Sequence, residues 1–317
     1  MAAPEAVATF AQQFQIAAPL FALVLLGYLL SHWGRWSKEV SAALAKFVFA
    51  VALPALLFRL MSGLAALPPV DPRLLLAYFG GCVLVFILGR GVARYAFRLD
   101  GVGQSVFALG GIFSNNVLLG VPLARSALGE AAMPAVALVL VFNTLLLWTL
   151  VTVSVEWARH GELSLKGFRT TARSVLTNPI VASIMAGSFF GLAGGTMPAL
   201  IDEPLRLVGD AATPLALFVL GMGLSEYGVR QGWREGIAIT VLKLVVQPLV
   251  VWALARLLQL SPVETQAVVL LASLAVGVNV YLMSREFHSM EGAVATSMVL
   301  STVLAALTTP LVLTLIG

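Results

Sequence analysis

Two adjacent amides, Asn115 and Asn116, stand inside an otherwise apolar stretch that runs GGIFSNNVLLGVPLARSALG from Gly110 to Gly129. An amide carries both a donor and an acceptor. In an apolar surrounding both must find partners, either on a neighbouring helix or on a ligand. Gly120 and Pro122 follow closely, and a proline removes a backbone donor and clashes with the turn before it. The stretch therefore predicts a broken or kinked helix whose freed peptide groups and half-helix dipoles face a ligand. Taken alone, it is equally well read as a proline kink whose Asn side chains tie helices together. A second stretch, LLASLAVGVNVYLMSREF from Leu270 to Phe287, carries Gly277 and Asn279 near its middle. At an offset of 163 residues Asn116 aligns with Asn279 and Gly129 with Gly292. Paired interrupted segments at corresponding positions mark substrate sites in transporters, and this pairing favours the binding-site reading.

Three basic residues fall within apolar runs. Lys243 lies in VLKLVVQPLVVW, ahead of Gln247 and Pro248. A cation near mid-membrane costs at least about 2.5–3.5 kcal/mol, so it must face a cavity, a partner or a carbonyl. Two readings stand side by side: Lys243 attracts an anionic substrate, or it fills carbonyls freed by Pro248. Arg59 and Lys46 lie nearer the ends of their run and suit snorkelling to an interface. Asp210, ahead of Pro214, is a candidate partner for Arg59 or a helix-end acid.

No enzyme chemistry is visible beside these groups. Cys82 is the single cysteine, so neither an intrachain disulfide nor a cysteine metal site can form. His32, His160 and His288 are far apart and match no zinc spacing. Gly101 and Gly103 have no strand before them, as a dinucleotide loop would require, and no G-x-S-x-G, H-E-x-x-H or P-loop pattern occurs. The reading is of a protein that is not an enzyme and needs no cofactor or metal.

The elements that must position the amides are set by hydropathy. Hydrophobic residues make up 60% of the chain and charged residues 11%, against roughly 25% charged in a soluble domain. Such a surface faces lipid. A net charge of +4, scattered along the chain, excludes a nucleic-acid footprint. About 20 apolar residues cross the hydrocarbon core as a helix. Ten segments qualify: Ile16–His32, Val40–Ser62, Arg73–Phe97, Val102–Ala127, Ala131–Trp157, Ser174–Gly195, Glu203–Tyr227, Trp233–Leu258, Glu264–Glu286 and Glu291–Ile316. Residues before Gln15 carry no Lys or Arg, so the first segment reads as a retained helix and not a cleaved signal.

Basic residues cluster on alternate loops. Arg35 and Lys38, then Arg90, Arg94 and Arg98, then Arg159, Lys166, Arg169 and Arg173, then Arg230, Arg234 and Arg285 fall after the odd-numbered segments. Only Arg73, Arg125, Arg206 and Arg256 fall on the other side. The rule that basic loops stay inside predicts a multi-pass protein of the cytoplasmic membrane with both termini extracytoplasmic.

The halves repeat. ALPALLFRLMSGL at Ala52–Leu64 and ATPLALFVLGMGL at Ala212–Leu224 share seven of thirteen residues at an offset of 160, Pro54/Pro214, Phe58/Phe218 and Gly63/Gly223 among them. One repeat is then five helices long, an odd number, so the halves are inverted. The predicted organisation is a first repeat over 1–157, a cytoplasmic linker over 158–173 and a second repeat over 174–317. Inverted repeats are a recurring transporter architecture.

These segments resemble the auxin efflux carrier family, which includes plant auxin exporters and bacterial malate and malonate permeases. The likeness is carried by LPALLF at 53–58, NNVLLGVPLARSALG at 115–129, NPIVASIMAG at 178–187, ATPLALFVLGMGL at 212–224, LKLVVQPLVVW at 242–252, GVNVYLMSREF at 277–287 and STVLAALTTPLV at 301–312. It implies an all-helical fold of ten helices similar to the bile-acid sodium symporters. Helices 1, 2, 6 and 7 would form a scaffold, and helices 3–5 and 8–10 a moving transport domain. Helices 4 and 9 would be broken and cross at the substrate site, with Asn115, Asn116 and Pro122 at one break and Asn279 at the other. Family members carry a proline before the second Asn, where this chain has Ala275 followed by Gly277. The resemblance implies movement of a small organic anion by an elevator or rocking motion, with a proton or sodium ion as candidate coupling ion. A homodimer through the scaffold helices is a further expectation. A membrane sensor or non-transporting scaffold on the same fold is the alternative, because fold alone does not decide function.

Overall fold

The computed structural model describes residues 3–33, 36–63, 70–160, 179–225 and 232–316, and the described elements are all helical. They are α1 (Ala3–His32), α2 (Lys38–Phe47), α3 (Leu53–Ser62), α4 (Arg73–Tyr95), α5 (Gly101–Gly110), α6 (Val121–Leu128), α7 (Met133–His160), α8 (Pro179–Leu192), α9 (Ala199–Leu224), α10 (Trp233–Val241), α11 (Gln247–Leu257), α12 (Pro262–Ala272), α13 (Val278–Glu286) and α14 (Glu291–Ile316). Much of the expected linker 158–173 lies outside the described residues, as do Arg35 and Arg230.

Among the described residues, seven stretches are long and apolar enough to cross a membrane: Thr9–His32, Lys38–Ser62, Arg73–Tyr95, Glu130–Arg159, Ala199–Leu224, Trp233–Leu257 and Glu291–Ile316. In the fourth, sixth and ninth segments expected from hydropathy the described helices are shorter, Asn116–Leu128, Pro179–Leu192 and Pro262–Ala272 among them. Interruption of the chain shortens two of them: residues 111–115 separate α5 from the turn that begins at Asn116, and residues 273–277 separate α12 from α13. Large apolar side chains such as Leu76, Ile87, Phe189, Leu200 and Leu315 lie on the outside. Asn115, Asn116, Asn143, Lys243 and Gln247 are buried. This inversion of the soluble pattern is what a lipid-facing exterior requires.

Three wide turns with i to i+5 hydrogen bonding interrupt the helices, at Val48–Ala52, Asn116–Gly120 and Leu242–Val246. Each ends two residues before a proline: Pro54, Pro122 and Pro248. A proline ring collides with the carbonyl four residues back, and widening the preceding turn is a way to relieve that clash without ending the helix. Pro122 therefore does not make the break expected of it. The chain runs helically through Pro122, and the gap lies about two turns earlier, at 111–115.

Helix α1 packs on α9, α3 on α8 and α9, α4 on α5 and α11, and α10 on α14. The α1–α9 seam is a backbone-to-backbone contact. A Cβ added at Gly27 would fall on the Phe218 carbonyl, and one added at Gly221 on the Val24 carbonyl. Small residues permit this approach, the usual basis of helix association in lipid. At one end of α9, Asp202 accepts from Arg59 at 2.7 Å, and Arg206 reaches both Glu203 and Asp210. Asp210 also faces Arg125 of α6 at 3.5 Å. Arg59, on the last turn of α3, thus meets Asp202 and not Asp210, two turns further along α9.

Candidate functional site

The two gaps meet. Asn115 N–H donates to Ala275 O at 2.9 Å, and Gly277 N–H donates to Phe113 O at 2.8 Å. Ser114 and Val276 form an antiparallel bridge between them. One extended residue pair thus joins the two interruptions, and the peptide groups that helix formation leaves unused are consumed in the crossing. Side chains take up others. Val276 N–H donates to Ser301 Oγ at 3.0 Å. Gln247 Nε2 donates to Ile112 O at 2.8 Å, and Lys243 Nζ donates to Ala272 O at 2.6 Å.

Gly277 is required by this geometry. A Cβ there would sit 2.9 Å from Ser114 O and 3.1 Å from Phe113 Cδ1. Its backbone is extended (φ −75°, ψ 147°), so the need is for space and not for an unusual torsion. The family pattern places a proline two residues earlier, where this chain has Ala275, whose carbonyl accepts from Asn115.

Beside the crossing is a cavity of about 60 Å³. Residues Phe113 to Leu118 and Gly277 to Asn279 form part of its wall, with Asn143, Leu140, Phe49, Ile180 and Val181 completing it. Asn115, Asn116, Gly277 and Asn279, four of the six residues singled out from the sequence, are thereby brought together. The other two are not. Pro122 lies in the first turn of α6, beyond the lining residues. Lys243 is fully buried on the Ala272 carbonyl and does not line the cavity. The open choice for Lys243 thus falls, in this geometry, on a carbonyl freed by helix interruption. The freed carbonyl is that of α12, not one released by Pro248.

The amide cluster is larger than the sequence suggested. Asn116 Nδ2 donates to Tyr78 OH at 2.9 Å and to Asn143 Oδ1 at 3.3 Å, and Tyr78 OH lies 3.5 Å from Ser114 Oγ. Asn143 had a detectable signal, an amide inside the apolar run VLVFNTLLLW. Tyr78, in α4, had none, because tyrosine is ordinary near a membrane surface and its depth follows only from packing. Two buried polar atoms in the cluster have no hydrogen-bond partner among the described residues: Asn115 Nδ2, a donor, and Asn116 Oδ1, an acceptor. Buried polar atoms are normally paired. A free donor and a free acceptor on adjacent residues at a cavity wall are the features a small polar ligand would satisfy.

The electrostatics divide by helix end. The cavity wall includes the first residues after each gap, where the N-terminal ends of the Asn116–Leu128 helix and of α13 carry partial positive charge. The C-terminal ends of α5 and α12, with partial negative charge, meet Gln247 and Lys243 instead. No charged side chain among the described residues lines the cavity. Among the described residues, no group of three or more His, Cys, Asp or Glu side chains could hold a metal ion.

Comparison with known proteins agrees in kind. Residues 14–313 match the family described as Membrane transport protein. A protein named "Putative malonate transporter" from Rhizobium meliloti is 27% identical over 296 residues, covering 92% of each chain. An uncharacterized transporter from Methanocaldococcus jannaschii is 24% identical, covering 80% of this chain and 82% of its own. Auxin efflux carrier component 8 from Arabidopsis thaliana is 22% identical, covering 92% of this chain and 94% of its own.

Proposed function

Since this chain belongs to the membrane transport protein family, that of the auxin efflux carriers, we propose that it is a secondary transporter moving a small organic anion across the cytoplasmic membrane by alternating access. The substrate class is a carboxylate, such as malonate, malate or an auxin-like acid. The observation that carries this reading is the cavity at the crossing, lined by the N-terminal ends of two half-helices and by amides with a free donor and a free acceptor. A carboxylate placed there gains the dipole ends and the Asn115 donor without a charged side chain among the described lining residues, so binding stays weak enough to reverse. Helix α1, the α2–α3 segment, α8 and α9 pack as a scaffold, and α4–α7 with α10–α14 form the transport domain, in two inverted halves. The bridge at Ser114 and Val276, 162 residues apart, supports that pseudo-symmetry.

Proteoliposomes containing the purified chain, offered labelled malonate, malate and an aromatic acetic acid, test the reading. Saturable uptake of at least one is expected. Asn116→Asp, which keeps the shape but adds a negative charge at the wall, is expected to reduce that uptake more than tenfold, since like charges at contact distance cost several kcal/mol even at an effective dielectric of about 20. Unchanged uptake in a monodisperse Asn116→Asp variant would remove the anion from this cavity.

A further inference from the structure

Lys243 places its amine where the crossing has its partial negative charges. It is fully buried, its one hydrogen-bond partner among the described residues is Ala272 O at 2.6 Å, and no carboxylate meets it. Ala272 is the last residue of α12, so the ammonium sits on a half-helix C-terminus. One turn further along the same segment, Gln247 reaches Ile112 O, just past the C-terminus of α5. Gln247 Oε1 is itself buried without a partner. The side chains of Lys243 and Gln247 thus serve both interrupted C-termini, and the wide turn Leu242–Val246 lies between α10 and α11 at this point.

Half-helix C-termini and unwound carbonyls at a midplane crossing are the groups that coordinate a coupling cation in secondary transporters. In this chain the Lys243 amine already lies on one of them. We propose that Lys243, in its protonated form, is a tethered replacement for an alkali cation at the crossing, so that this protein assembles its crossover without sodium or potassium, and that removing the side chain opens a cation site at Ala272 O, with Gln247 Oε1 as a second oxygen ligand. Lys243 is then a positioning residue, acting on the cavity only through the two half-helices it holds. This inference does not rest on the substrate: it is read from stability, so failure to find a transported anion leaves it standing, and its failure leaves the transporter reading standing.

Thermal unfolding of the purified chain in detergent is measured in sodium, potassium and choline chloride at equal ionic strength. The wild-type protein is expected to unfold at the same temperature in all three. Lys243→Ala is expected to unfold earlier in choline and to recover at least about half of that loss in sodium or potassium, saturably, as binding to the folded state alone requires. Lys243→Met, which fills the space without a charge or a ligand site, is expected to show the loss and no recovery. Specific stabilisation of the wild-type protein by sodium or potassium would overturn the proposal. So would a Lys243→Ala response no greater than that of Lys243→Met. Should Lys243→Ala not fold, the wild-type comparison still decides, since a cation requirement there refutes the replacement and its absence supports it.

Discussion

Replacing Gly277 by alanine sets two effects of known sign against each other. At an extended backbone position such as this one (φ −75°, ψ 147°), Gly→Ala ordinarily stabilises by about 0.4–1 kcal/mol, because the unfolded chain loses freedom. The added methyl, however, would lie 2.9 Å from Ser114 O and 3.2 Å from Ser114 C, where ordinary contact begins at 3.4 Å. The obstruction is backbone and not a side chain that can swing away. Relief requires the two extended segments to part by about half an ångström, and they are joined there by hydrogen bonds of 2.8 and 2.9 Å. Weakening both in a buried place costs about 0.5–1.5 kcal/mol each, and overpacking adds about 1–3 kcal/mol. The collision outweighs the entropy gain, leaving a net loss between about 1 and 6 kcal/mol. The assay is thermal unfolding of the purified variant beside the wild type, with hydrogen exchange at 113–116 and 275–278. Lower apparent Tm with faster exchange confined to those segments is expected. A Tm equal to or above the wild-type value would refute the crossing geometry, since the entropic effect would then be acting alone.

Gly221→Leu should separate α1 from α9, because even a Cβ at that position meets the Val24 carbonyl; a loss at or above about 3 kcal/mol is expected, read as reduced Tm and reduced yield of folded protein, while wild-type stability would show that the seam is not a close contact. Reporters fused to each terminus should read the extracytoplasmic side, and one inserted within 161–166 the cytoplasmic side, as the distribution of Lys and Arg requires; termini on opposite sides would remove the inverted repeat.

The membrane-spanning character was legible because hydropathy is a bulk property: one apolar run after another leaves no alternative. Asn115, Asn116, Gly277 and Asn279 were legible as exceptions within those runs, since an amide in an apolar stretch must be accounted for by a partner. The position of the break in the fourth segment was not legible. Pro122 carried the strongest local signal, yet a proline can be absorbed by one wide turn, as happens before Pro54, Pro122 and Pro248 alike. What interrupts the helix at 111–115 is a tertiary contact, the bridge to Val276, to which no single residue type points. The role of Lys243 was undecidable for a related reason. A mid-span lysine can face a cavity or a carbonyl, and the distinction depends on where α12 ends relative to the segment carrying Lys243. Tyr78 was missed because its partner, Asn116, lies 38 residues away on another helix.

The placement of Lys243 bears on why the cavity itself can remain uncharged. Each half-helix end carries roughly half an elementary charge, positive at its N-terminus and negative at its C-terminus. Two C-terminal ends, those of α5 and α12, meet the side chains of Gln247 and Lys243. Their combined partial charge is about minus one, which Lys243 balances in its protonated form. The two N-terminal ends, at Asn116 and Val278, then present about plus one to the cavity, beside amides, the Ser114 hydroxyl and apolar side chains. Had the lysine stood in the cavity wall, the N-terminal ends and the ammonium would have added, and a bound anion would have been held by about two positive charges in a medium of low dielectric. Had there been no lysine, the C-terminal ends would have opposed the N-terminal ends across the width of one extended strand pair. With the lysine behind the crossing, a ligand bound as a monoanion brings the whole assembly close to neutrality, a condition malonate or malate meets in its singly protonated form. On the transporter reading, that is the condition under which a loaded domain crosses hydrocarbon at least cost, because an unbalanced charge at mid-membrane is penalised by at least about 2.5–3.5 kcal/mol.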